Sequence, residues 1–195
     1  LPPVASGQFG SLGVRVPPDT VVAHDPPGVK LGSGGGFVNA LVAGWHASGE
    51  PSWRDWLRRR PRVVIHSGGE SRRCPAYAAE GKVLTPMPVL RWSFGQRFDQ
   101  VLLDLQLGVV NEAMRRAPEG VVAAVYSGDV VLRGRLPAEL PDADVICVGL
   151  WESPEAATRH GVFFCDRGEP ERLLFMRQKP TPGEIRTLAR EALFL

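Results

Sequence analysis

Three polar constellations in this chain have the residue types needed to handle phosphate. The first is HSGGESRR, residues 66–73, which runs through CPAYAAE to Gly81-Lys82. Gly68 and Gly69 let the backbone turn sharply and approach a ligand with no Cβ in the way. Their N–H groups, with Ser71 beside them, can cradle phosphate oxygens or read a base edge. Arg72 and Arg73 add fork-shaped donors suited to phosphate, and Lys82 adds a compact point charge. The second is SGD, which puts Asp129 in a turn just after an apolar run. A carboxylate there is placed to hold Mg²⁺ against phosphates. The third is RQKP, with Lys179 just before Pro180. Each also has a plain structural reading: a solvated Gly-Arg surface loop, a strand-ending turn aspartate and an edge lysine.

The lysine count ties two of these together. Lys30, Lys82 and Lys179 are the only lysines among 23 basic residues. In a chain that otherwise uses arginine, a lysine marks a position where an ammonium suits and a planar guanidinium does not. GSGGG, residues 32–36, is a further candidate phosphate loop through Gly34 and Gly35. It lacks the Gly-Lys-Ser/Thr ending of a Walker loop and follows no clear strand, which excludes a P-loop ATPase. His66 and His160 are possible acid/base groups, with packing or capping as the plainer roles.

The elements that must carry these groups follow from periodicity. RVVIHS (62–67), GVVAAVYSGD (120–129) and ADVICVGL (143–150) read as buried strands, and GVFFCD (161–166) and RLLFMRQKP (172–180) as further strands. LGSGGGFVNALVAGWHASG reads as a Gly-rich loop feeding an apolar helix near 37–47. PSWRDWLRRR (51–60) reads as a short helix capped by Ser52, with a cationic end that suits the helix dipole. Residues 95–117 carry the strongest helical pattern, with Phe98, Val101, Leu102, Leu105, Val109 and Ala113 at helical spacing. Residues 181–195 read as a closing helix with Pro182 at its start. Residues 1–30, with VPP and DPPG, read as short strands and turns packing on the rest. Continuous apolar strands alternating with helices predict an α/β fold, a mostly parallel central sheet covered on both faces. In such sheets ligands bind beyond the carboxyl ends of the strands, where HSGGESRR and SGD both fall.

Bulk properties bound the rest. The chain has 195 residues, 44% hydrophobic and 23% charged, the composition of a soluble globular domain. A net charge of +2 gives no reason to expect a nucleic-acid partner. No apolar run is long enough to span a membrane and no signal peptide opens the chain, so the expected location is the cytoplasm. Cys74, Cys147 and Cys165 are widely spaced and odd in number, which predicts free, structural thiols rather than disulfides or a metal site. A start at Leu1 and an apolar EALFL ending suggest an excerpt of a longer polypeptide.

Taken in order, these pieces resemble a sugar nucleotidyltransferase. GGESRRCP…GK resembles the Gly-Gly…Arg…Lys signature of that superfamily, SGD its metal-binding turn, and HGVFFCD with RQKP its sugar-side strand and Lys-Pro motif. LGSGGG, HSGGESRRCPAYAAEGKVLTPMPVLRW, FDQVLLDLQL, SGDV, GLWESPEAATRHGVFF and FMRQKP resemble, more closely, the N-terminal half of the bifunctional L-fucokinase/GDP-L-fucose pyrophosphorylase family. The resemblance covers residues 30–195. It implies a GT-A-like (Rossmann-like) nucleotidyltransferase domain over 31–195, shortened at its C-terminus, and the Mg²⁺-dependent reaction of GTP with L-fucose 1-phosphate to GDP-L-fucose and pyrophosphate. It implies that Gly68 and Gly69 approach the nucleotide, that Arg73 and Arg72 brace the triphosphate, and that Lys82 neutralises phosphate charge. Asp129 would hold the metal, Lys179 would bind the sugar phosphate, and Gly161 would leave room for the sugar. Phe37 stands where the family's GSGGGT has threonine, so any hydroxyl contact made there is lost. The β-helical and kinase domains of the family would be partners on the same polypeptide.

Overall fold

The computed structural model describes residues 16–67, 81–87, 100–132, 141, 143–190 and 193–194. The chain divides into two compact units, Leu1–Leu140 and Pro141–Leu195.

The first unit is built on a parallel strand pair. β1 (Arg62–His66) and β2 (Ala123–Ser127) run side by side from Arg62↔Ala123 to His66↔Ser127. Their carboxyl ends therefore finish level. α1 (Gly32–Ser48) and α2 (Trp53–Arg59) supply the apolar cover for β1: Leu41, Trp56 and Val64 are buried together, with Phe37, Ala40, Trp45, Trp53 and Leu57 packed around them. Ser52 caps α2 as its position predicts, its hydroxyl accepting from the Asp55 amide at 3.3 Å. Gly44 is a close-approach position, because a Cβ there would meet Trp56 Cζ2 at 3.2 Å. The Arg62 guanidinium lies 4.2 Å from the centroid of Trp56 and donates to its carbonyl.

α3 (Leu102–Arg115) is the amphipathic helix the periodicity predicts; residues 95–99 lie outside the described residues. Its entry is tied by Asp104, whose carboxylate accepts from the Val101 amide at 2.9 Å. The buried face is Leu102, Leu103, Gln106 and Val110, one position around from the predicted stripe, so a glutamine sits among leucines and valine. A 3₁₀ turn (Lys82–Leu84) docks on this helix. Val83 and Leu84 are buried with Leu103 against Ile65 and Leu107, and Leu102 N donates to Thr85 O at 2.9 Å.

The second unit is a three-stranded antiparallel sheet with the order β4-β3-β5, made of β3 (Gly161–Cys165), β4 (Leu173–Gln178) and β5 (Leu193–Phe194). Its core is Ala157, Val162, Phe164 and Ile185, with Phe164 stacked on Phe175 at 4.9 Å. α4 (Pro154–Ala157) and α5 (Pro182–Leu188) begin on the Ser153 and Thr181 caps. Thr181 and Glu184 form a reciprocal capping box, with Glu184 Oε2 accepting from Thr181 N at 2.7 Å and Thr181 Oγ1 from Glu184 N at 3.2 Å.

The mixed α/β class agrees with the sequence, and several details differ. The larger sheet among the described residues is antiparallel rather than parallel. The GSGGG run is not a loop; it forms the first turns of α1, which spans Gly32–Ser48. Residues 143–150 form no strand, and Val145, Val148 and Leu150 are exposed; an apolar run is a weak strand signal without a neighbour to pair with. β2 is only partly buried, with Val125 52% exposed. The closing helix stops at Leu188, and Leu193–Phe194 return as a strand on β3. Residues 16–30 hold the predicted turns (Thr20 N to Pro17 O and Val29 N to Pro26 O, both 3.0 Å) but no strand. Cys147 and Cys165 are free, and burial pushes the Cys165 thiol up.

Candidate active site

The carboxyl ends of β1 and β2 carry the most organised polar geometry in the first unit. Gly128 follows β2 directly, and its amide donates to His66 O at 2.6 Å. A Cβ at this position would stand 2.5 Å from His66 O and 2.6 Å from Val83 Cγ1. Only glycine lets the turn after β2 press against both the end of β1 and the 3₁₀ turn bearing Lys82. The next residue, Asp129, is thereby carried to Lys82. Asp129 Oδ2 accepts from Lys82 Nζ at 2.6 Å, and Oδ1 accepts from Ser127 Oγ at 2.5 Å. Both side chains remain part-exposed, 33% for Lys82 and 46% for Asp129. The Lys82 hydrogen bond, then that of Ser127, holds the Asp129 carboxyl below its ordinary range.

Behind the turn, Gln106 reaches out of α3. Its Nε2 donates to Ser127 O at 3.2 Å and to Val130 O at 2.8 Å. His66 ends β1 with a half-buried ring, and burial lowers its pKa, opposed by the nearby Asp25 carboxylate. Asp25 also accepts from the Leu31 amide at 3.2 Å, just before α1.

Mg²⁺ is usually held by one or two carboxylates together with substrate phosphates, not by an all-protein cage. No group of three His, Cys, Asp or Glu side chains poised for a metal occurs among the described residues. Asp129, ionised and part-exposed, fits the phosphate-bridged kind of site. Both of its oxygens already have partners, Oδ2 in Lys82 and Oδ1 in Ser127, so a metal would have to share or displace them.

In the second unit, Gly161 opens β3 opposite Gln178, and a Cβ on it would meet Gln178 Oε1 at 3.0 Å. Lys179 follows β4 with φ +49°, the one non-glycine residue with positive φ among the described residues. That left-handed backbone costs about 1–2 kcal/mol in a residue with a Cβ. It is fixed by Lys179 N donating to His160 O at 2.9 Å, while Pro180 is buried behind it. The exposed lysine is thus held by its backbone at the same end of the sheet as Gly161.

Of the sequence-predicted residues, Lys82 and Asp129 are brought into contact, and Lys179 and Gly161 lie at neighbouring ends of paired strands. Gly34 and Gly35 lie in the first turns of α1. Gly68, Gly69, Ser71, Arg72 and Arg73 lie outside the described residues. Sequence reasoning gave no role to Gln106 or to the Ser127 hydroxyl. The available signal was a glutamine on the apolar side of a helix.

No helix among the described residues is long and apolar enough to cross a membrane. Comparison with known proteins finds two relatives and a family. A bacterial protein from Bacteroides fragilis, described as L-fucokinase/L-fucose-1-P guanylyltransferase, is 45% identical over 179 residues, covering 91% of this chain and 19% of that protein. A bifunctional fucokinase/GDP-fucose pyrophosphorylase from Arabidopsis thaliana is 25% identical over 166 residues, covering 77% of this chain and 16% of that protein. The chain thus spans less than a fifth of the length of either relative. No solved structure matches. Residues 55–187 match the fucose pyrophosphorylase domain model, a span that includes the Gly-Arg stretch, Lys82, Asp129, Gly161 and Lys179. The chain belongs to the fucose pyrophosphorylase domain family.

Proposed function

We propose that this chain carries the guanylyltransferase part of a longer fucokinase/pyrophosphorylase, joining GTP and L-fucose 1-phosphate into GDP-L-fucose and pyrophosphate on a GT-A-like domain over 31–195, with 1–30 packed on it. The family match supports the substrate class, and one observation supports the chemistry: the Lys82–Asp129 pair at the level carboxyl ends of two parallel strands, where α/β folds bind ligands. The reading includes a cytoplasmic setting, and the β-helical and kinase domains of the relatives' family as partners on the same polypeptide.

Both reactants are anions, so the reaction needs positioning and charge neutralisation more than a covalent nucleophile. A phosphate oxygen of the sugar phosphate attacks the α-phosphorus of GTP in line with departing pyrophosphate, as in other phosphoryl transfers. Lys82 exchanges its carboxylate partner for phosphate oxygens. Arg72 and Arg73 brace the triphosphate, with Gly68, Gly69 and Ser71 against the nucleotide, and Gly34 and Gly35 assist from the start of α1. Asp129 holds Mg²⁺, which when bound supplies positive charge to the phosphate oxygens. Lys179 receives the sugar phosphate, and Gly161 keeps that end of the sheet free of a side chain.

The test is pyrophosphate release from GTP, Mg²⁺ and L-fucose 1-phosphate. Release with that pair is expected. Preference for UTP or another sugar 1-phosphate would replace the substrate assignment with a nucleotidyltransferase of other specificity. GTP binding with no release would make the chain a nucleotide-binding module of its kinase.

A further inference from the structure

The turn that presents Asp129 has few fastenings of its own. Its internal backbone hydrogen bond, Val130 N to Ser127 O, is long at 3.3 Å, and the Ser127 hydroxyl adds a side-chain bond to Asp129 Oδ1 at 2.5 Å. Asp129 itself is exposed. What spans the turn is Gln106, 4% exposed on the buried face of α3. Its amide nitrogen donates to Ser127 O on one side of the turn and Val130 O on the other. Both partners are carbonyl oxygens, so neither can satisfy the other. A group with two N–H bonds on one atom answers both, and among uncharged side chains only Asn and Gln carry one. A buried polar group on an otherwise apolar helical face costs stability unless its bonds are made; here Nε2 makes both of its bonds while the buried Oε1 has no partner among the described residues, a cost that glutamine carries at this position. Leucine or methionine would fill the same space, so packing alone does not call for glutamine.

We infer that Gln106 is a positioning residue for the proposed transfer, clamping the Ser127–Val130 backbone from behind so that Asp129 is held at Lys82. The inference rests on the proposed reaction for its catalytic consequence and on geometry alone for the clamp. Gln106 touches neither Asp129 nor Lys82 and acts through the backbone between them. Gly128, wedged between His66 O and Val83, fixes the front of the same turn. The turn is thus gripped from two elements, and Asp129 inherits its position from both.

Gln106→Met keeps the volume and removes both donors. In this variant the Gly128 and Val130 amides should exchange with solvent roughly tenfold faster, while amides within β1, β2 and α3 keep their protection, as expected for local opening. The kcat for pyrophosphate release should fall roughly 10–100-fold, the usual loss when a supporting residue behind a metal ligand is removed, with the KM for GTP nearly unchanged. Unchanged exchange at Gly128 and Val130, or equal acceleration throughout the unit, overturns the clamp. Local acceleration with native kcat overturns its catalytic consequence. If the unmutated chain shows no turnover, the proposed reaction fails by itself, and exchange still decides whether Gln106 holds the turn. Should Gln106→Met not fold, the unmutated chain decides. Its Gln106 side-chain amide protons should be strongly protected, and exchange at the rate of a free amide would overturn the clamp.

Discussion

The first unit and the second hold their candidate lysines by opposite means. Lys82 is fixed at its tip: Nζ is 2.6 Å from a carboxylate oxygen that a serine hydroxyl also engages. Lys179 is fixed at its root, by a left-handed backbone and an amide bond to His160, with no partner to its ammonium recorded among the described residues. The first arrangement lowers the cost of ordering a long side chain before phosphate arrives, but the carboxylate must be displaced or bridged. The second leaves the ammonium free to adapt to a ligand and keeps only its point of origin constant. Under the proposed function, the first would meet a triphosphate with its metal and the second a single sugar phosphate.

Removing the shared carboxylate is the strongest way to break this contrast. Asp129→Asn should lower kcat for pyrophosphate release by roughly 10²–10³-fold, the scale of losing one charge-stabilising group. Turnover near the native rate would take Asp129 out of the site. Next in size is Gly128→Ala, whose methyl must displace His66 O or Val83. A loss of about 3 kcal/mol in denaturant unfolding is expected, and an unchanged midpoint would mean that the turn does not press on β1. Lys179→Gly separates backbone from charge. The KM for L-fucose 1-phosphate should rise at least tenfold while stability holds or rises by up to ~1 kcal/mol, as left-handed strain is relieved against greater unfolded-chain freedom. A rise in the KM for GTP as large as that for the sugar phosphate would contradict the division of labour.

The smallest effect is the pH dependence of the first unit. The folded Asp129 carboxyl titrates below its ordinary value of about 3.9, so its contribution is complete above that value and is lost as pH falls through the lowered one. His66 acts at higher pH. Burial disfavours its charged form, so the unfolded chain binds the proton first and stability declines as pH falls below about 6.5. Thermal melts from pH 8 to 5 should show that decline, and His66→Asn should flatten it.

Much of this was legible in the sequence because the signals were local. Ser52 before a short helix, Pro182 after Thr181, and RVVI as a strand each depend on neighbours a few residues away. The contact between Lys82 and Asp129 spans 47 positions and was not foreseen; the sequence assigned the two only separate roles toward phosphate. Three things were not legible. GSGGG looked like a loop because glycine is a poor helix former, yet Phe37, Leu41 and Trp56 bury the body of that helix and override the preference. Phe37 is itself one of the side chains packed in that cluster. Residues 143–150 were apolar enough for a strand, but strand formation requires a pairing partner that periodicity cannot supply. Gln106 was invisible because its value lies in two carbonyl oxygens 21 and 24 residues away.

The indole cluster beneath β1 gives the chain an optical consequence. Trp45, Trp53 and Trp56 have ring centroids 5.7 and 5.4 Å apart along the series, one contact edge-on and the next stacked, with Arg62 over the last ring. Rings this close couple electronically, so their near-ultraviolet circular dichroism and emission report a joint geometry rather than three separate environments. Trp151, 59% exposed in the second unit, emits as a solvated indole. With Trp92, which lies outside the described residues, replaced by phenylalanine, one spectrum would carry two labels of different colour, and the order in which the units lose structure on heating could be followed without adding a dye.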